Sequence, residues 1–430
     1  MGSISHNISK ERHRETESQN TGKSVNDCRD MNPKEVHVLA VNCGISSARF
    51  ALFDMARGER RLLKAFFEGI GLGRGRASLV GEGGRVIHDG PSSIPDHEAA
   101  ARQMHVWLAE NAPGVRVSVV GHRIVHGIPG AGEPVPLDKL VKADLARMIE
   151  ADPGQKDRYF RVVQVLEDLL PDAASIACFD CAFHRTMPPM ARMHPLPREL
   201  MEQGVVRYGI HGLSCEHVMQ QLASLAGESS ATGRVVIAHL GCSASMTAVR
   251  GGSSVENTAG FVPSGGLMMG TRAGDLGPGV ILHLLMAKGL SAVAVGEIVT
   301  QQSGLLGVSK VSRDMRELLK VSETNPQAAE AVALYCYTAR KHLGSLVAVL
   351  GGLETLVFTA GIGENAARVR RGICEGLEFL GLRLDAALNR ENAPVVSAAG
   401  SAVTVRVIGA DEEIVIARAS LRAFKLAARG

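Results

Sequence analysis

Apolar and polar positions settle into a regular pattern only at Val36. Residues 1–35 are Ser, Asn, Lys, Arg, Glu and Asp with almost no apolar period. Such a segment cannot bury enough surface to offset its ordering entropy, so it is expected to be disordered. From Val36 the run V-H-V-L-A-V-N reads as a buried strand, and A-R-F-A-L-F at 48–53 alternates as a second. Between them N-C-G-I-S-S at 42–47 is a tight polar turn. A related pattern returns at V-V-I-A-H (235–239), followed by L-G-C-S-A-S and M-T-A-V-R. The two turns share a Gly and a Ser at equal spacing, an internal repeat that points to two similar α/β halves.

Further apolar runs end in polar, glycine-rich clusters. Residues 115–120 read as a strand leading into G-H-R-I-V-H-G, 175–179 as a strand ending in D-C-A-F-H, and 356–359 as one ending in A-G-I-G-E-N. A helix is expected after the last, with Val369, Ile373, Leu377 and Leu380 on one face. Open α/β sheets place ligands at the carboxyl ends of their strands, which is where these clusters fall.

Length and charge narrow the function. A chain of 430 residues that is 45% hydrophobic supports a large core and two domains. A net charge of +3 and an aromatic content of 4% give neither the field nor the stacking platforms of a nucleic-acid partner. No apolar run reaches the roughly 20 residues of a membrane span, and the amino terminus lacks the apolar segment of a secretory signal. The eight dispersed cysteines read as reduced thiols, so the expected compartment is cytoplasmic. Cys178 and Cys181 form an isolated C-x-x-C without a second pair, which argues against zinc.

The candidate chemistry is phosphoryl transfer. It requires backbone donors around phosphate, a divalent metal and cations on the oxygens in flight. Turns at Gly44, Gly241 and Gly361–Gly363 allow close main-chain approach. No G-x-x-x-x-G-K-[ST] is present, and no G-x-G-x-x-G with a properly placed acid follows a strand. The run G-L-G-R-G-R from Gly71 is read as a mobile loop. Arg123 and Arg272 stand in glycine-rich contexts where a guanidinium can grip carboxylate or phosphate in two parallel bonds. Asp180 ends a strand beside His184, and His211 lies in R-Y-G-I-H-G. Taken singly, each is as readily an ion pair, a cap or a satisfied core histidine.

Together the segments V-N-C-G-I-S-S-A-R-F, G-H-R-I-V-H-G, F-D-C-A-F-H, R-Y-G-I-H-G-L-S, A-H-L-G-C-S-A-S, G-F-V-P-S-G-G-L-M-M-G-T-R-A-G-D-L, S-G-L-L-G-V-S and F-T-A-G-I-G-E-N resemble the acetate kinase family, in family order and over nearly all the chain beyond residue 35. The resemblance implies the duplicated, ribonuclease H-like two-domain α/β fold of sugar kinases, actin and Hsp70-type ATPases, with the active site in the interdomain cleft. It implies reversible transfer from ATP to acetate, giving acetyl phosphate and ADP, with Mg²⁺ (or Mn²⁺), in a homodimer. Residues 36–180 with 413–430 would form the acyl-substrate domain, and 181–412 the nucleotide domain.

The resemblance also implies roles at matching positions. Asn42 and Glu412 would sit near the metal. Arg123 and Arg272 would bind the carboxylate and stabilise the phosphoryl group in transfer. Asp180 would orient the attacking carboxylate site, and His211 would hydrogen-bond the phosphoryl group. Gly44, Ser47 and Arg49 belong to the phosphate turn, and His239 and Gly241 to the phosphate path. Asp314, Met315 and Arg316, with Gly361, Ile362, Gly363 and Asn365, would hold adenosine. Val125, Ile210 and Pro263 would enclose the acyl methyl. A carboxylate nucleophile needs no strong base, only positioning and charge neutralisation.

The chain departs from the family pattern at several neighbours of these residues. Ile45 and Arg49 replace a Ser and a Lys of the phosphate turn, and Cys242 and Ser243 stand where Asn and Gly are usual. Leu213 and Cys215 replace Thr and His, Ile210 replaces Phe, and E-A-D-P-G-Q-K occupies the place of L-A-P-L-H-N-P. Every charged catalytic candidate is retained, so the expectation is an active enzyme with altered acyl-chain or donor preference. Propionate or butyrate kinase and a catalytically inactive nucleotide-binding relative are the alternatives.

Overall fold

The computed structural model describes residues 36–56, 58–125, 132–149 and 158–427. The expected disordered segment at 1–35 and all of E-A-D-P-G-Q-K (150–156) therefore lie outside the described residues. Among the described residues thirteen strands build two sheets. The first has the order β5-β4-β3-β2-β1-β6-β8-β7 and the second β11-β10-β9-β12-β13. The first-sheet strands are β1 (His37–Cys43), β2 (Ser47–Asp54), β3 (Arg60–Glu68), β4 (Gly75–Gly81), β5 (Val86–Ser92), β6 (Val117–Ile124), β7 (Val135–Pro136) and β8 (Ala174–Phe179). Those of the second are β9 (Arg234–Leu240), β10 (Ala244–Arg250), β11 (Ser253–Asn257), β12 (Thr355–Thr359) and β13 (Thr404–Val407).

The inner five strands of the first sheet and all five of the second share one plan. In β3-β2-β1-β6-β8 the successive pairings are antiparallel, antiparallel, parallel and parallel. The pairings along β11-β10-β9-β12-β13 repeat that sequence. The two turns matched in the sequence, β1–β2 and β9–β10, occupy equivalent places. This duplicated two-domain α/β architecture is the fold class that the resemblance implied.

Burial follows the strand period. Leu39 and Val41 enter the cluster on one face of the first sheet, while Val38 and Ala40 face the other, against Ile416, Ala419 and Phe424 of the C-terminal helix Glu412–Ala427. That helix sits close to β6 because Gly121 has no side chain: a Cβ there would lie 2.1 Å from Ser420 Oγ. The helix Gly212–Ala226 packs Val218 and Leu222 against Val235, Ile237 and Val357 of the second sheet. Its first turn sends Leu213 into the cluster of the C-terminal helix, so these two helices lie between the sheets. On the far side of the second sheet the long helix Pro326–Leu350 buries Tyr335, Ala339, Leu343 and Leu346. Each of the two leucines contributes about 1.5–3 kcal/mol on burial.

Three sequence expectations are corrected. The strand expected at 115–120 starts at Val117 and continues through Ile124, because pairing to β1 and β8 holds His122 and Arg123 extended. The helix expected through Leu380 stops at Cys374: Glu375 is extended and Gly376 takes a left-handed φ of 78°, and Leu377 and Leu380 reach the same core from a 3₁₀ turn. G-L-G-R-G-R is a turn that passes at Gly75 into β4, paired with both β3 and β5.

Candidate active site

Three neighbouring parallel strands end on one side of the first sheet, and each delivers a polar residue there. β1 brings Asn42, β6 brings Arg123, and Asp180 follows β8, its N–H donating to Ile124 O at 2.8 Å. Arg123 Nη2 donates to Asp180 Oδ2 at 2.7 Å and Nη1 to Asn42 Oδ1 at 3.0 Å. The start of the C-terminal helix completes the cluster. Asn42 Nδ2 donates to Glu412 Oε2 at 2.6 Å and Glu413 Oε1 at 3.0 Å, and Arg123 Nη1 lies 3.5 Å from Glu412 Oε2. Asp180 is fully buried, and its second oxygen, Oδ1, has no hydrogen-bond partner among the described residues. Burial alone would raise its pKa. The charge and bond of Arg123 and the His211 N–H outweigh this and hold the carboxyl below the ordinary value. Glu413 is raised by burial, and the Glu412 carboxylate pushes the same way.

R-Y-G-I-H-G folds down onto Asp180. His211 N donates to Asp180 Oδ2 at 2.9 Å and Gly212 N to Asp180 O at 2.8 Å. A Cβ at Gly212 would stand 2.2 Å from that carbonyl oxygen, so this approach requires glycine. His211 itself adopts a left-handed φ of 59° at the head of the helix, a strained conformation of the kind found at functional sites. Its ring stacks on His239 with centroids 3.9 Å apart. Ser245 Oγ lies 2.7 Å from His211 Nδ1, and Ser214 Oγ 2.8 Å from His239 Nδ1. Burial lowers His239 to about 4 and holds His211 well below its ordinary value, with neighbouring cations adding to the effect, so both rings are neutral donors at neutral pH.

Arg272 arrives from the long loop after β11. It is buried, and its Nη1 donates to Pro263 O at 3.0 Å and approaches Ser243 Oγ at 3.5 Å. In the second sheet β9 and β12 run parallel, with His239 opposite Thr359. Gly241 therefore lies beside the helix Ala360–Asn365, which contains Gly361, Ile362, Gly363 and Asn365. Asp314 caps the helix Met315–Val321 and pairs with Arg316 at 2.7 Å. The Met315 side chain is in the second-sheet core, so only its backbone can meet a ligand.

The remaining candidates are spread around this centre. Arg49 is exposed, its guanidinium 4.6 Å above the Phe66 ring. Gly44 and Ser47 close the β1–β2 turn through Gly44 N donating to Ser47 O at 2.8 Å. Ile210 and Pro263 are buried beside His211 and Arg272, and half-buried Val125 packs against the cluster that contains Phe179 and Cys181. Cys178 and Cys181 are buried thiols, each pushed up to about 12 by burial.

Sequence reasoning missed Glu413, Ser214 and Ser245. The signal for Ser245 was present: Ser245 and Thr247 alternate with apolar residues along Ala244–Val249. For Ser214 and Glu413 the partner comes from a distant element, and no local pattern announces it.

The family model of the acetokinase family matches residues 37–418. An acetate kinase of Rhodopseudomonas palustris (strain TIE-1) is 41% identical over 390 residues, covering 89% of this chain and 96% of the relative. The crystal structure of Porphyromonas gingivalis acetate kinase matches with a TM-score of 0.77 at 33% identity, covering 90% of this chain and 99% of that one. That of a propionate kinase from Francisella tularensis matches with a TM-score of 0.81 at 28% identity, with the same coverage.

Proposed function

The chain belongs to the acetokinase family, and on that premise we propose how its own residues carry the reversible transfer of a phosphoryl group from ATP to acetate. The observation that carries the reading is the bonded cluster of Asn42, Arg123, Asp180 and Glu412, with His211, His239 and Arg272 beside it. Arg123 and Arg272 bind the substrate carboxylate and neutralise charge on the phosphoryl group in flight. Asp180 fixes Arg123 and, through the His211 N–H, the loop that carries the His211 ring. The neutral His211 ring donates a hydrogen bond to the phosphoryl oxygens. Gly44, Ser47, Arg49 and Gly241 line the phosphate path. Asp314, the Met315 backbone and Arg316 face adenosine together with Gly361, Ile362, Gly363 and Asn365. Val125, Ile210 and Pro263 bound the acyl group.

Among the described residues no three His, Cys, Asp or Glu side chains converge as a metal cage. Asn42 and Glu412 nevertheless fit Mg²⁺ (or Mn²⁺), a hard ion commonly held by one or two carboxylates together with substrate phosphates. The buried, unpartnered Asp180 Oδ1 supports a cationic occupant nearby. The ion supplies charge neutralisation on the phosphate oxygens.

Residues 36–180 with the C-terminal helix form the acyl-side domain in this reading, and 181–412 the nucleotide side. Closure of the cleft excludes water and so limits ATP hydrolysis. A homodimer is supported by the apolar side chains exposed at Leu276, Val280, Leu282, Met286 and Val293, with Met286 80% exposed. A cytoplasmic setting is supported by the seven described cysteines, six of which are buried core side chains. Among the described residues no helix is long and apolar enough to cross a membrane.

The test is hydroxamate-coupled turnover of the purified chain with ATP, Mg²⁺ and acetate, propionate or butyrate, beside Arg272→Ala. Turnover with acetate that Arg272→Ala reduces by about 10²-fold or more is expected, and the acyl ranking reads the pocket. A chain that binds ATP but turns over no acyl substrate in either direction overturns the reading.

A further inference from the structure

Another guanidinium, outside the cluster described above, bridges the two halves of the chain. Arg313 Nη2 donates to Ser46 Oγ at 3.1 Å, joining residues 267 apart in sequence. Ser46 belongs to the β1–β2 turn of the first sheet, whereas Arg313 belongs to the second half of the chain. Its backbone stands against the M-M-G-T-R loop: a Cβ at Gly270 would lie 3.2 Å from Arg313 O and 3.5 Å from Cys242 O. Gly270 N in turn donates to Cys242 O at 3.2 Å, so the β9–β10 turn adjoins the same point. Arg313 therefore sits where the two duplicated turns and the Arg272 loop come together. Its chain neighbour Asp314 opens the segment assigned to adenosine.

Half-buried Arg313 makes, among the described residues, one hydrogen bond and no ion pair. A guanidinium offers five N–H donors in a planar fork suited to phosphate. Holding one hydroxyl leaves most of that fork unused. In the kinase reading the polyphosphate runs from the adenosine segment past the two turns towards Arg123 and Arg272, and Arg313 stands at those turns.

The geometry points to Arg313 as a binding residue for the phosphate oxygens of the nucleotide, which exchanges Ser46 for phosphate when the donor enters. This assignment rests on the kinase reading and adds a contact between the adenosine site and the reacting centre. Ser46 serves as the resting partner, holding the guanidinium across the cleft until a stronger, charged acceptor replaces it.

The experiment is calorimetric titration of the full chain with ATP, ADP and adenosine, for the wild type, Arg313→Ala, Arg313→Lys and Ser46→Ala. Arg313→Ala weakens ATP and ADP by about tenfold or more, as expected for a charge-assisted contact, and leaves adenosine within about twofold. Arg313→Lys, which retains the charge without the fork, falls between. Ser46→Ala binds ADP as tightly as the wild type or tighter. Equal ATP and ADP affinities in Arg313→Ala and the wild type overturn the assignment. So does equal weakening of all three ligands, which marks a structural role. Ser46→Ala losing as much ADP affinity as Arg313→Ala also overturns it, since the contact would then act only as a clasp between the domains. A wild-type chain that binds no nucleotide overturns this assignment and the kinase reading together.

Discussion

Ser245→Ala tests whether His211 is held for chemistry or merely packed. The substitution removes one hydroxyl from a strand residue 1% exposed, 2.7 Å from Nδ1 of a ring that is itself 3% exposed. When Ser245 donates to Nδ1, the ring proton resides on Nε2, and that nitrogen can donate to a phosphoryl oxygen. Without the hydroxyl the stack on His239 still holds the plane of the ring, but nothing fixes the tautomer. Leaving a buried nitrogen unpaired costs about 1–3 kcal/mol of stability. Losing a donor present in the transition state raises the barrier by about 1.5–3 kcal/mol, so kcat falls roughly 10- to 100-fold. KM for acetate and ATP changes little, because the loss falls on the transition state. Hydroxamate kinetics read the rate, and imidazole ¹⁵N shifts read the tautomer. Adding Ser245→Ala to His211→Ala has no further effect if the serine works only through the ring. A wild-type kcat in Ser245→Ala, or fully additive losses in the double variant, refutes the argument.

Buried histidines and an exposed apolar segment give two further outcomes. His122, His184 and His239 are buried with values lowered to about 3, 4 and 4, and His211 also lies well below its ordinary value. The unfolded chain therefore takes up protons that the folded chain refuses as pH falls from about 6.5 toward 4. Stability present above that range is lost by up to about 1.4 kcal/mol per pH unit for each histidine, opposed only in part by the raised Glu413. Urea midpoints should drop between pH 7 and 5, and a constant midpoint counts against neutral burial. Met286→Asp places a charge in the exposed apolar segment and should convert a dimer to a folded monomer in sedimentation velocity at micromolar concentration; an unchanged mass removes this surface from the interface.

The sequence by itself marked β1, β2, β8, β9 and β12 and the turns that follow β1 and β9. Apolar runs at 37–43 and 234–240 are buried on both faces, so their composition alone marks them as strands, and the glycine and serine that interrupt them mark the turns. The repeat between those turns already contained the duplication that the strand order later displayed. Arg123, Asp180, His211 and Arg272 were legible as candidates only together, through the ordered series of motifs that resembles the acetate kinase family. Tertiary structure decided what these residues touch. The bond from Ser245 to His211 spans 34 positions and that from Asn42 to Glu413 spans 371, and no local period encodes separations set by how sheets and helices stack. The same limit explains the helix that ended at Cys374, since Val369, Ile373, Leu377 and Leu380 satisfy a helical period while Gly376 turns the chain. Arg313 reads in sequence as one more charge before a helix cap, and only the meeting of the two domains places it opposite Ser46.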